Sequence, residues 1–123
     1  DYDMEIIESH HRDKVDAPSG TALRLGETIA NTAKLNLNEN SVFHRESRIN
    51  KRKKNEIGFS AIRGGDIVGD HTVLHAGDGE RIELTHKAGS RTTFAKGAIK
   101  AVKFLTDHSF GLFDMMDVLN LKK

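Results

Sequence analysis

The chain of 123 residues contains no cysteine and no tryptophan, and it has one proline and one tyrosine. The lack of cysteine excludes disulfide bonds, thiolate zinc sites and cysteine nucleophiles. No apolar run is long enough to span a membrane, and the acidic first residues lack the features of a signal peptide. The net charge of +1 gives no overall attraction to nucleic acid or to a membrane surface. The composition, 37% hydrophobic and 30% charged, is that of one globular domain.

The most informative stretch is residues 5–23, EIIESHHRDKVDAPSGTAL. It begins in an apolar, β-branched strand and ends at the start of a helix. Between them lie His10, His11, Lys14 and the segment Ser19-Gly20-Thr21. Backbone N–H groups in the first turn of a helix have no partner within the helix and favour negative charge. The order of strand, basic loop and helix start therefore predicts a site for a small carboxylate or phosphate.

Hydrophobic periodicity predicts an α+β fold. We expect a four-stranded, mixed or antiparallel sheet with two long helices on one face. Residues 36–55 are polar, and this composition predicts an exposed loop that could include a short strand at 42–45. The predicted strands span residues 3–10, 57–62, 67–75 and 81–87, and the two predicted long helices span residues 20–34 and 92–106. Asp114 is predicted to cap a last, short helix that runs through Leu119.

The predicted sheet has apolar residues on both faces. In strand 57–62, Ile57, Phe59 and Ala61 lie on one face, and Ile62 lies on the other with Gly58 and Ser60. Two helices on one face leave the other face uncovered. We therefore expect that second face to lie at an oligomer interface.

Residues 5–22 fit the pattern E-x-x-E-x-H-H-x-x-K-x-D-x-P-S-G-T-A, which resembles the signature of the dihydrodipicolinate reductase family. The resemblance extends over the later segments IGF-x-x-x-R-x-GDIVG-x-HTV, GE-x-I-E-x-x-H-x-A, SR-x-x-FA-x-GA and GLFDM-x-DVL. It implies that residues 1–123 are the C-terminal substrate-binding and oligomerisation domain of the enzyme. The N-terminal dinucleotide-binding domain of the family is absent from this chain, so the chain alone is expected to be inactive.

The resemblance also implies a function. The family is the bacterial, cytoplasmic, homotetrameric 4-hydroxy-tetrahydrodipicolinate reductase of lysine and diaminopimelate biosynthesis. It uses NADH or NADPH and no metal to reduce a small dicarboxylate to tetrahydrodipicolinate. Neither nucleic acid nor a membrane is an expected partner.

From the residues alone, the histidines and the lysine could be ordinary surface groups, and Ser19 a simple helix cap. The resemblance assigns acid–base chemistry to His10, proton donation to Lys14 and a substrate contact to His11. It assigns a substrate carboxylate to the Ser19-Gly20-Thr21 segment, and it places Arg91 and Phe94 near the cofactor.

Alternative interpretations come from other classes of protein. The chain could be a non-catalytic module that binds a small anion or a partner protein through the same helix start. The basic run Lys51–Lys54 could contact nucleic acid, although it is short and lacks interleaved aromatic residues. A zinc site is not expected, because His71 and His75, four apart on a strand, would be separated by roughly 13 Å. Gly77-Asp78-Gly79 lacks the third glycine of a dinucleotide fingerprint.

Overall fold

The structure is a computed structural model that describes residues 2–46 and 50–122. The chain divides into two units, Asp1–Gly89 and Ser90–Lys123. The first unit contains the sheet. Its elements are β1 (Asp3–His10), α1 (Gly20–Ala33), α2 (Leu37–Asn40), β2 (Ser41–Val42), β3 (Ile57–Arg63), β4 (Gly69–Ala76) and β5 (Arg81–Ala88).

The sheet is mixed, as predicted, with the strand order β2-β3-β1-β4-β5. The central strand β1 runs parallel to β3 and antiparallel to β4. The first strand of the chain therefore lies in the middle of the sheet, and its last residue, His10, is opposite Arg63 of β3. This pairing places the end of β1, from which the basic loop leaves, beside two other strands.

The predicted count of four strands is wrong, because the sheet has five. The additional strand, β2, comprises two residues that pair in parallel with Ile57 and Gly58. Two residues are too few to produce a period-two pattern, and β2 overlaps the suggested strand 42–45 at Val42 alone. The short helix α2 also interrupts the predicted loop 36–55. Part of that loop, residues 47–49, lies outside the described residues.

The core of the first unit forms between α1 and one face of the sheet. Ile6 and Ile57 are fully buried, and Phe59 packs with them against Ala22 and Ala30. Gly26 allows this close approach, since a Cβ atom there would lie 2.5 Å from the Phe59 ring. The core therefore fixes α1 on the face of β1 that carries Ile6.

The start of α1 follows the prediction. Ser19 is the N-cap residue, and its side chain accepts a hydrogen bond from the backbone N–H of Ala22 at 3.2 Å. The helix ends at Ala33, one residue before the predicted boundary, and the C-cap residue Lys34 adopts a left-handed conformation. The helix start, on which the predicted anion site depends, is thus a capped and well-defined turn.

The second unit contains α3 (Thr92–Thr106) and α4 (Met115–Val118). The predicted bounds of the long helix are confirmed, and Asp114 caps α4 through a capping box with Asp117. Phe104, His108 and Phe113 form an aromatic cluster within this unit. That α3 shares a face of the sheet with α1 stays a prediction. In the parts of the chain that the structure describes, no helix is long and apolar enough to cross a membrane.

Candidate functional site

Four polar side chains gather on the α1 face of the sheet, at the end of β1. Strand alternation places Glu8 and His10 on the same face as Ile6. The register then brings Arg63 opposite His10, and His71 of β4 opposite Glu8. Glu8 is 1% exposed and His10 8% exposed, so a carboxylate and an imidazole are buried together at the edge of the core.

Glu8 has hydrogen-bond partners at both carboxylate oxygens. Oε2 accepts a hydrogen bond from Arg63 at 2.7 Å and lies 2.6 Å from Nδ1 of His10. Oε1 accepts hydrogen bonds from Arg63 at 2.8 Å and from the backbone N–H of Ser19 at 3.0 Å. Burial alone would raise the pKa of Glu8, but these hydrogen bonds, that from Arg63 foremost, outweigh burial and leave the pKa lowered. Glu8 is therefore a buried carboxylate anion.

Arg63 connects this carboxylate to the basic loop. Its guanidinium donates to the backbone carbonyl oxygens of Lys14 at 3.2 Å and Asp16 at 2.6 Å, besides the two bonds to Glu8. The hydrogen bonds to Glu8 raise the pKa of Arg63 above its already high value. One side chain from β3 thus holds both the buried acid and the loop that carries Lys14.

His71 adds a second imidazole. Its Nε2 lies 2.9 Å from the Ser19 hydroxyl, and its ring contacts that of His10 edge to face, with 5.1 Å between the centroids. Burial, and then the neighbouring His10, lower the pKa of His71. Because the Ser19 oxygen already accepts from Ala22, its hydrogen is available to neutral His71. The Ser19 N–H and hydroxyl are therefore both engaged within the protein, so the predicted substrate contact of Ser19 stays a prediction.

Lys14 lies at the surface end of this cluster. Its Nζ donates to both carboxylate oxygens of Asp16, at 2.7 and 2.8 Å. The Lys14 side chain is 20% exposed and that of Asp16 is 62% exposed. The hydrogen bond from Lys14 lowers the pKa of Asp16. The ammonium group thus already holds a carboxylate, and that carboxylate is open to solvent.

The other predicted site residues have different surroundings. Gly20 and Thr21 are exposed in the first turn of α1, and no atom would lie within 4 Å of a Cβ at Gly20. His11 is half-buried just after β1. Arg91 and Phe94 belong to the second unit, where Arg91 is the N-cap residue of α3 and Phe94 is 54% exposed.

Sequence reasoning did not select Glu8, Arg63 or His71 as site residues. A signal for Glu8 was present, since a carboxylate alternates with Met4, Ile6 and His10 on a buried strand face. Arg63 and His71 stand within the segment 57–73, which was noted for its motif, and His71 was weighed only as a zinc ligand. Their contacts with Glu8 and Ser19 depend on strand register across more than 50 residues.

Two other surface features lie outside this cluster. Arg52 of the basic run turns inward, where it pairs with Glu5 and Asp3 and donates to the carbonyl oxygens of Met4 and Glu56. The run is therefore not a continuous exposed basic surface of the kind that binds nucleic acid. A cleft of about 500 Å³ lies next to Ala17 and Pro18, and residues 42–46 and 59–61 form the rest of its lining. None of the predicted site residues lines this cleft.

The buried groups make stability depend on pH. The lowered pKa of His71 means that the unfolded chain takes up a proton first as the pH falls below about 6.5. The free energy of unfolding should therefore decrease from that pH downward. It should decrease again below about 4.5, where Glu8 is protonated in the unfolded chain while folded Glu8 is still ionised, because its pKa is lowered in the folded protein. Urea unfolding between pH 3 and 8 measures both steps. His71→Asn should remove the first step and the exposed His44→Asn should retain it; an unchanged profile in His71→Asn would contradict the assignment.

Comparisons with known proteins identify the family of this chain. The family model described as "Dihydrodipicolinate reductase, C-terminus" matches residues 1–119. The chain is 58% identical over 123 residues to the 4-hydroxy-tetrahydrodipicolinate reductase of Nitrosospira multiformis. It is 63% identical over 121 residues to the enzyme of that name from Paraburkholderia phymatum. The two matches include 100% and 98% of this chain but 46% of each relative. The chain therefore spans about half of the length of these relatives.

A solved structure agrees with the sequence matches. A dipicolinate-bound dihydrodipicolinate reductase from Paenisporosarcina sp. TG-14 superposes with a TM-score of 0.59 at 26% identity, over 82% of this chain and 38% of that chain. Within residues 2–46 and 50–122, no group of three or more His, Asp or Glu side chains is arranged to hold a metal ion. The match over residues 1–119 shows that the chain belongs to the dihydrodipicolinate reductase C-terminal family.

Proposed function

We propose that this chain is the substrate-binding and catalytic domain of a 4-hydroxy-tetrahydrodipicolinate reductase. In the proposed reaction a cyclic dicarboxylate is reduced with NADH or NADPH to tetrahydrodipicolinate, and water is lost. The reaction belongs to lysine and diaminopimelate biosynthesis in the bacterial cytoplasm. The observation that carries the proposal is Lys14, which holds the solvent-exposed Asp16 carboxylate three residues before the N-cap residue Ser19, in a chain of this family.

The site would bind the substrate through its carboxylates. The Lys14 ammonium group would exchange the Asp16 carboxylate for one from the substrate, because both are anions of the same shape. The exposed first turn at Gly20 and Thr21 would receive a carboxylate through unpaired N–H groups and the Thr21 hydroxyl. His11 would contact the substrate next to Lys14.

Proton transfer would follow from the same residues. Hydride addition leaves negative charge on the substrate, and a positioned acid neutralises that charge. Lys14 would donate the proton from Nζ, with His10 as the acid–base group behind it. The His10 side chain is 11% exposed and that of Lys14 is 20% exposed, which favours Lys14 as the group in direct contact with substrate.

The described residues contain no glycine fingerprint for binding the phosphates of a dinucleotide. Gly77-Asp78-Gly79 lies in the hairpin between β4 and β5, whereas a phosphate-binding fingerprint connects a strand to a helix. We assign no cofactor-binding step to these residues. A nicotinamide cofactor would supply the hydride from the dinucleotide-binding domain that the family resemblance implies, and Arg91 and Phe94 would lie near it.

Titration calorimetry with pyridine-2,6-dicarboxylate, a planar substrate mimic, tests the binding step. The chain should bind this dicarboxylate, and Lys14→Met should weaken binding by about tenfold or more, the scale of a lost charged hydrogen bond. Asp16→Asn should tighten binding, because it removes the competing carboxylate. Lys53→Met, which removes an exposed lysine from the basic run, is the matched control. Equal affinities for Lys14→Met and Lys53→Met would contradict the proposed site.

A further inference from the structure

Glu8 and Arg63 form an ion pair whose position the proposed chemistry does not yet explain. Glu8 is 1% exposed, and the Arg63 side chain is 19% exposed. A buried ion pair loses the hydration of both charges, and well-packed apolar residues of similar volume often stabilise a fold as well or better. The pair is therefore not accounted for by stability alone, and its contacts indicate what else it does.

The first contact fixes the orientation of His10. Glu8 is ionised, and a carboxylate anion can only accept hydrogen bonds. Nδ1 of His10, 2.6 Å from Oε2 of Glu8, must therefore carry a proton. In the neutral imidazole the proton-free nitrogen is then Nε2, and in the imidazolium Nε2 is the nitrogen free to give up its proton.

The second set of contacts fixes the loop. Arg63 donates from Nε to the Lys14 carbonyl oxygen and from a terminal nitrogen to the Asp16 carbonyl oxygen. The two terminal nitrogens also donate to both oxygens of Glu8, and one of them donates to the Ile62 carbonyl oxygen. This planar, forked geometry is specific to arginine, because a lysine ammonium cannot reach the carboxylate and two carbonyls together.

A third feature is the space beside Nε2 of His10. A Cβ atom at Gly69 would lie 3.1 Å from Nε2, so the glycine leaves space at this nitrogen that a side chain would fill. Glu8 thus lies against Nδ1 of the imidazole, and Gly69 leaves room at Nε2.

From these contacts we propose that Arg63 and Glu8 are a positioning pair for the candidate active site. Glu8 fixes the Nδ1–H form of His10 so that Nε2 is the nitrogen that exchanges a proton. Arg63 holds Glu8 and, through backbone carbonyls, the loop that carries Lys14, and it therefore sets the separation of the two groups. The inference rests on the proposed function only for the role of His10 and Lys14.

The first test is the protonation state of the His10 ring nitrogens, measured by long-range ¹H–¹⁵N NMR on the ¹⁵N-histidine-labelled chain at pH 8. Neutral His10 should be in the Nδ1–H form. The double variant Glu8→Met/Arg63→Met removes both charges together, so it should fold while the Nε2–H form of His10 gains population. An Nδ1–H form that persists unchanged in the folded double variant would overturn the role of Glu8.

Arg63→Lys is the second variant, and it also covers the case in which the double variant does not fold. It keeps the positive charge beside Glu8 but loses the fork. Amide hydrogen exchange in residues 12–17 should rise at least tenfold, while exchange at Ile6 and Val73 of the core should be unchanged. Unchanged exchange in the loop would overturn the role of Arg63. Neither measurement needs substrate or cofactor, so failure of the proposed reductase function would leave both results interpretable.

Discussion

Lys14→Ala and His10→Ala should each lower kcat by about 10²-fold or more in an active reductase, the usual contribution of a positioned acid or base. Lys14 is expected to deliver the proton and to hold a substrate carboxylate, so its loss should also raise KM. His10 is buried against Glu8, and its loss should mainly lower kcat. The different effects on KM distinguish a residue that binds substrate from one that acts behind it.

The measurement requires a complete enzyme. A suitable one is a chimera in which this chain replaces the matching segment of the Nitrosospira multiformis reductase, to which it is 58% identical. Lys53→Ala and His75→Ala, which change a lysine and a histidine away from the end of β1, are the matched controls. Wild-type kcat in the double variant Lys14→Ala/His10→Ala would show that the roles are misassigned. An inactive chimera that still binds pyridine-2,6-dicarboxylate would favour the non-catalytic anion-binding module.

Local sequence patterns predicted the elements that surround the site. Alternation around Ile6 and Ile7 predicted β1, and Ser19 predicted the start of α1 because an N-cap residue acts within its own turn. The same alternation placed Glu8 and His10 on one face, since strand period depends only on neighbouring residues. The sequence could therefore predict β1, the start of α1 and the shared face of Glu8 and His10, because each depends only on residues that are close in the chain.

The rest of the site depends on pairing between distant strands. Arg63 meets Glu8 because β3 lies parallel to β1 in one register, and a shift by one residue would turn Arg63 to the other face. His71 reaches Ser19 because β4 pairs on the other side of β1. Strand β2 was left out of the predicted sheet, and the short strand suggested at 42–45 shares only Val42 with it, because two residues form a strand only where β3 pairs with them.

The sheet face opposite α1 is the basis of the last prediction. Ile7, Ile62 and Leu74 share this face, with Thr72 and Thr85 joined by a hydrogen bond of 2.9 Å. Ile62 is 51% exposed in the single chain. Glu5, opposite Leu74, also lies on this face and pairs with Arg45 and Arg52. A sheet face that meets only water should carry polar residues throughout, so the apolar side chains between these charges and the end of β1 are typical of an interface.

We expect the chain alone to assemble into a homotetramer through this face. Closed symmetry is the usual outcome for identical subunits, and the family resemblance implies four. Sedimentation equilibrium at micromolar concentration should give four times the monomer mass of 13.7 kDa. Ile7→Lys would bury a charge in the central strand of the face, where the opposite residues Ser60 and Thr72 carry no carboxylate, at a cost of several kcal/mol in each subunit, and should produce monomers. Leu112→Lys is the control, because Leu112 is 99% exposed in the second unit. A mass of 13.7 kDa for the unmodified chain would mean that this face is not an interface between copies of the domain.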